Sequence, residues 1–133
     1  MRVLIADDDP GFRTFMRGAL KYEADLSVVG EAMDGLEAVR KANELKPALV
    51  FMDIDLPRTD GLEATRQIKG SLPGTVVIVF SPLDCMVHRD AAARSGANAF
   101  LVKTTPISKI LSTTRQLLQG EAVGSRPLVR EPV

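Results

Sequence analysis

Ala48-Leu-Val-Phe-Met-Asp53-Ile-Asp-Leu-Pro57 decides the reading of this chain. Five apolar residues run without alternation into Asp53, and Pro57 with Arg-Thr-Asp-Gly61 then turns the chain. A short apolar run bounded by turn residues is the pattern of a strand buried on both faces of a parallel sheet. Asp53 therefore stands at the carboxyl end of a central strand, where open α/β sheets bind ligands.

Working outward, the pattern repeats. Val3 to Ala6 is a short apolar strand ending in Asp7-Asp8-Asp9-Pro10, and Asp9 with Pro10 suits a helix start. Phe12, Phe15, Met16, Ala19 and Leu20 then share one helical face. Ser27 to Glu31 is a less apolar strand, predicted at an edge. Asp34-Gly35 opens a second helix with Leu36, Val39, Ala42 and Leu45 facing inward. Asp60 and Glu63 read as a capping box for a third helix that ends near Lys69. Thr75 to Phe80 is the most apolar strand and ends at Ser81-Pro82. Residues 84–95 read as a weakly apolar fourth helix closed by Gly96. Asn98 to Val102 is a fifth strand ending at Lys103, and Ile107, Ile110, Leu111, Thr114, Leu117 and Leu118 mark a fifth helix. Strict alternation of five strands and five helices predicts a parallel sheet between two helix layers. With strand 2 at an edge the order is 2-1-3-4-5, a doubly wound α/β fold. Residues 1–119 form the domain, and 120–133, with Gly120, Gly124, Pro127 and Pro132, read as a tail or linker stub.

Composition excludes several classes. Seventeen basic and seventeen acidic residues leave no net charge, so nothing global favours nucleic acid or membrane surfaces. No apolar run approaches the ~20 residues of a membrane span. The single cysteine, Cys85, permits no internal disulfide, which suits a reducing cytoplasm.

In the order 2-1-3-4-5, the strand ends bring Asp7, Asp8, Asp53, Ser81 and Lys103 to one crevice. Three carboxylates in one pocket repel unless a cation joins them, and oxygen ligands favour Mg²⁺ or Mn²⁺. A carboxylate there can attack phosphorus, with Lys103 and Ser81 meeting phosphoryl oxygens. His88 has no metal-spaced partner and reads as a helix-surface residue.

These residues, in this order, resemble the receiver domain of two-component response regulators, the CheY-like, flavodoxin-like fold. The likeness rests on Asp7-Asp8, Asp53 with Pro57 and Asp60-Gly61, Ser81 and Lys103. Leu4 to Arg13 and Phe100 to Pro106 are most similar to receivers that precede LuxR-type (NarL-type) DNA-binding domains. The resemblance implies that Asp53 is the phospho-acceptor, supplied by a histidine kinase or phosphotransfer protein. It further implies direct Mg²⁺ ligation by Asp8, Asp53 and the Asp55 backbone carbonyl, with Asp7 ligating through water. Ser81 and Phe100 would be the switch pair. Helix 4, strand 5 and helix 5 would form the output face, open to homodimerisation, with no direct contact to nucleic acid or membrane.

One departure stands out. Pro82 follows Ser81 where that family usually has a small residue whose N–H meets the phosphoryl group, and proline has no N–H. Weak, slow or short-lived phosphorylation, or a switch already biased to one state, is the expectation. A second reading is a protein-binding module that works without phosphate. A third, more distant one is a haloacid-dehalogenase-type phosphatase, from Asp53-Ile-Asp55.

Overall fold

A computed structural model describes residues 1–120. The elements are β1 (Arg2–Ala6), α1 (Pro10–Leu20), β2 (Ser27–Ala32), α2 (Gly35–Leu45), β3 (Leu49–Asp53), α3 (Gly61–Ser71), β4 (Val76–Ser81), α4 (Met86–Arg94), β5 (Ala99–Val102) and α5 (Ile107–Leu118). All strands pair in parallel, in the order β2-β1-β3-β4-β5. The fold is the expected flavodoxin-like one, with β2 at an edge. Apart from Gly120, the expected tail lies outside the described residues.

Alternate residues of each strand feed two cores, because side chains in a strand point to opposite faces. Leu4, Ala6, Val50, Met52, Val77, Val79 and Phe100 pack with Ala38, Ala42, Ala64, Ile68 and Ala92 of α2, α3 and α4. Val3, Ile5, Leu49, Phe51, Ile78, Phe80 and Ala99 pack with Met16, Leu20 and Ile110 of α1 and α5. Every residue of β3 is buried, which explains its unbroken apolar run.

Helix starts are set by side chains. Asp9 Oδ1 accepts from the Gly11 N–H at 2.9 Å, and Pro10 takes the first turn. On α2, Asp34 Oδ1 accepts from the Glu37 N–H at 2.7 Å while Glu37 Oε1 accepts from the Met33 N–H at 2.8 Å. A capping box was expected on α3, but only the cap's half is made there. Asp60 Oδ1 caps the Glu63 N–H at 2.9 Å, whereas the Glu63 carboxylate turns along the helix to Arg66 and Gln67. The Arg66 guanidinium, with the Gln67 amide, outcompetes the backbone N–H for it. Gly96, at φ +98°, ends α4 as expected.

Two inward assignments are corrected. Leu36 is 53% exposed and Phe15 47% exposed. On α2 the buried stripe runs through Gly35, Ala38 and Ala42; the alanines pack in the core on the sheet, Gly35 lies against Thr59 of the β3–α3 loop, and Leu36 falls off that stripe. On α1 Met16 and Leu20 fill the core, and Phe15 rests against Phe12, ring centroids 6.0 Å apart.

Candidate functional site

The site lies where β1 and β3 adjoin and their connections leave in opposite directions, the topological switch point of the sheet. Asp7 follows β1 and Asp53 ends β3, and both are buried. Asp8 is exposed at the rim. One carboxylate oxygen from each of Asp7, Asp8 and Asp53 lies within 4.8 Å of the others. Lys103, one residue past β5, brings its Nζ to 2.7 Å from Asp7 Oδ2 and 3.6 Å from Asp53 Oδ2. Four of the five side chains read from strand ends thus share one pocket, and the fifth, Ser81, turns elsewhere.

Hydrogen bonds orient the acids. Asp7 Oδ1 accepts from the Asp9 N–H at 2.8 Å and Asp53 Oδ1 from the Asp55 N–H at 3.2 Å. Asp7 Oδ2 is buried without a well-aligned hydrogen-bond donor, so the Lys103 charge is its main partner. Below the pocket, Arg13 donates from Nη1 to the Asp7 carbonyl at 2.6 Å and from Nε to Glu31 at 2.9 Å. The Lys103 Nζ also lies 4.7 Å from the centroid of the Phe12 ring. The sequence reading assigned no site role to Arg13 or Phe12. Their only signal was a place on the helix that leaves the acidic triplet.

Electrostatics follow from this packing. Burial, then the Asp7 charge, pushes the Asp53 pKa up to about 6, against the pull of Lys103 and the Asp55 N–H. Burial works against the Lys103 ammonium, but the Asp7 contact and the Asp53 charge outweigh it and hold its pKa above the lysine range. In a Lys103→Met protein the Asp53 carboxyl should therefore titrate above its wild-type value of about 6. Carboxyl ¹³C NMR against pH reads this, and an unchanged or lower midpoint would contradict it.

The donor set fits a hard divalent cation. It offers only oxygens, one of them buried without a good donor, and carboxylates whose repulsion raises the Asp53 pKa. Asp55 is exposed, and its N–H faces the Asp53 carboxylate.

Ser81, Phe100 and His88 sit differently. The Ser81 side chain is fully buried, and its Oγ donates to the Leu83 carbonyl at 2.9 Å and accepts from the Leu83 N–H at 3.2 Å. The hydroxyl makes no hydrogen bond with Asp53 or Lys103, although the Ser81 carbonyl accepts from the Lys103 N–H at 2.8 Å. Phe100 is 3% exposed inside the core, with the Arg89 guanidinium 4.9 Å from its ring centroid. His88, read as a helix-surface residue, lies half-buried on α4 with Nδ1 3.4 Å from Ser81 Oγ, a contact the sequence did not show.

Fold and pocket define a doubly wound α/β domain with an acidic, cation-fitted crevice at its switch point. The chain belongs to the response regulator receiver domain family, whose profile matches residues 3–115. It is 38% identical over 125 residues to the response regulator protein VraR of Staphylococcus epidermidis, covering 92% of this chain and 59% of that protein. It is 46% identical over 108 residues to protein-glutamate methylesterase/protein-glutamine glutaminase 4 of Myxococcus xanthus, covering 77% of this chain and 30% of that protein. The chain thus spans less than two thirds of each of these relatives. Among solved structures, a LuxR-family two-component response regulator from Aurantimonas superposes with a TM-score of 0.85 at 28% identity, covering 91% of this chain and 86% of that one. The response regulator domain of Thermotoga maritima CheB superposes with a TM-score of 0.76 at 32% identity, covering 96% and 98%. Among the described residues, no helix is long and apolar enough to cross a membrane.

Proposed function

We propose that this receiver domain takes a phosphoryl group onto Asp53 from a histidine kinase or phosphotransfer protein. The observation that carries the reading is the convergence of Asp7, Asp8 and Asp53 with Lys103 on one crevice. An Asp53 carboxylate oxygen attacks phosphorus as the bond to the leaving group breaks, giving an acyl phosphate. Asp8, Asp53 and the Asp55 carbonyl would hold Mg²⁺ or Mn²⁺, with Asp7 acting through water. The ion, when bound, neutralises charge on the acids and on the incoming phosphoryl oxygens. Lys103 supplies a second positive charge that is already in place. Ser81 would give its hydroxyl to a phosphoryl oxygen, and Phe100 would respond to that movement. The readout would be the face of α4, β5 and α5, available to a partner or a second copy.

Residues 1–119 would act as the switch unit and 120–133 as the link to an output, in a cytoplasmic regulator. The likeness to the LuxR-family response regulator of Aurantimonas supports a LuxR-type DNA-binding output, and the similarity to the methylesterase shows that relatives of this unit serve other outputs. The domain's own chemistry would be limited to gaining and losing its phosphoryl group.

Incubation with Mg²⁺ and acetyl phosphate, followed by intact mass, tests the proposal. One phosphoryl group should appear on the wild type, none on Asp53→Asn, and none on the wild type in excess EDTA. Equal labelling of the variant would remove Asp53 from the reaction.

Pro82 favours a weakly holding form of this switch. It is exposed on the β4–α4 loop and brings no N–H, while the Leu83 N–H is already given to Ser81 Oγ at 3.2 Å. A missing donor to a charged group costs on the order of 1.5–3 kcal/mol. Pro82→Ala should therefore extend the lifetime of the phosphorylated form about tenfold or more. An unchanged lifetime would mean that water replaces the missing donor.

A further inference from the structure

α4 is held loosely at its start. Cys85 occupies the cap position but makes no side-chain cap hydrogen bond, Met86 and Val87 are exposed, and Ala92 is the buried residue of the helix. His88 is the polar tether from that first turn to the end of β4, through Nδ1 at 3.4 Å from Ser81 Oγ.

An Nδ1–H tautomer of His88 would fill the hydroxyl's capacity. Ser81 has one proton, directed to the Leu83 carbonyl at 2.9 Å, and two lone pairs. The Leu83 N–H occupies one at 3.2 Å, and His88 Nδ1 faces the hydroxyl as well. An Nδ1–H ring completes the set. To give its proton to a phosphoryl group on Asp53, Ser81 must leave this arrangement.

Resting on the reading of Asp53 and Ser81 above, we propose that His88 is a positioning residue that holds the Ser81 hydroxyl on the β4–α4 loop, so that recruitment of Ser81 by phosphorylation frees the first turn of α4. The tether links the chemistry at Asp53 to the position of a helix. It is a single contact at the long end of hydrogen-bond distance, so it tunes the switch without deciding it.

Three variants separate this role from packing. Asn places an amide N–H near the position of Nδ1, Gln places it nearer that of Nε2, and Ala has none. With acetyl phosphate and Mg²⁺ at subsaturating donor, His88→Ala and His88→Gln should raise the phosphorylated fraction relative to unphosphorylated protein by roughly two- to fivefold, the worth of one net hydrogen bond. His88→Asn should match the wild type. Imidazole ¹⁵N NMR of the unphosphorylated protein should show an Nδ1-protonated ring whose Nδ1 signal shifts in Ser81→Ala. Asn behaving like Ala, all three variants matching the wild type, or an Nδ1 signal indifferent to Ser81→Ala would overturn the proposal. A wild type that takes no label overturns the reading of Asp53 itself, and with it the role of the tether. A labelled wild type with indifferent His88 variants overturns the tether alone.

Discussion

In metal-free buffer at pH 7.5 or so, Asp53→Asn should be more stable than the wild type by about 1–3 kcal/mol, and the gap should close as the pH falls toward about 4. The cause is the price of an ionised carboxylate that is buried, beside Asp7, and incompletely offset by Lys103 at 3.6 Å. The Asp53 pKa is about 6 in the folded protein, against about 3.9 for a free aspartate. Between those values the folded form keeps a proton that the unfolded chain has released. The wild type therefore gains stability from this group as the pH drops from above 6 to below 4, and loses it as the pH rises again. Two pH units at about 1.4 kcal/mol each set the upper end of the range. Asparagine removes the charge and keeps an oxygen for the Asp55 N–H. Urea unfolding of both proteins at several pH values reads the effect. Added Mg²⁺ should stabilise the wild type and do far less for the variant, because a ligand bound only to the folded state stabilises by mass action. A variant less stable than the wild type at neutral pH without metal would refute this account of the pocket.

Gly61→Ala should cost more, upward of about 4 kcal/mol, and leave the domain largely unfolded at ordinary temperatures. A Cβ at Gly61 would stand 2.0 Å from the Asp53 carbonyl oxygen and 2.9 Å from Ile54 Cα. Both are backbone atoms, so no rotamer change relieves the overlap. Gly61 also donates its N–H to the Ile54 carbonyl at 3.1 Å, which seats the start of α3 on the end of β3. Any shift that made room would drag Asp53 out of line with Lys103. Gly18→Ala is the control: nothing lies within 4 Å of its would-be Cβ, and it sits inside α1. There the substitution should add about 0.5–1 kcal/mol, because alanine is the better helix former. Thermal or urea unfolding should show opposite signs for the two changes, and a well-folded Gly61→Ala would show that the close approach is soft.

The two glycines illustrate where reading stops. Both are visible in the sequence, and Gly61 even belongs to the stretch that turns the chain after β3. Only the packed structure shows that Gly61 is there for space and that Gly18 faces nothing. Leu36 and Phe15 make the same point for helices. Periodicity says that a helix has an apolar face, but which residue centres that face depends on how closely the helix settles. On α2 the alanines approach the sheet and Gly35 the β3–α3 loop, and Leu36 is left exposed. His88 was invisible for another reason. Its partner lies seven residues away across a loop, and no spacing rule connects a strand end to the first turn of the helix beyond it.

The sequence by itself determined the element order, the parallel sheet with β2 at its edge, and the meeting of Asp7, Asp8, Asp53 and Lys103. These follow from buried apolar runs that end in polar residues, since a strand buried on both faces can present chemistry only at its end. Tertiary structure alone decided the rest. It set Lys103 closer to Asp7 than to Asp53, raised the Asp53 pKa by burial and repulsion, and turned Ser81 toward Leu83 and His88. Those outcomes depend on distances of a few ångströms between groups far apart in the chain. Charge interactions and hydrogen bonds change steeply over such distances, and a sequence pattern does not record them.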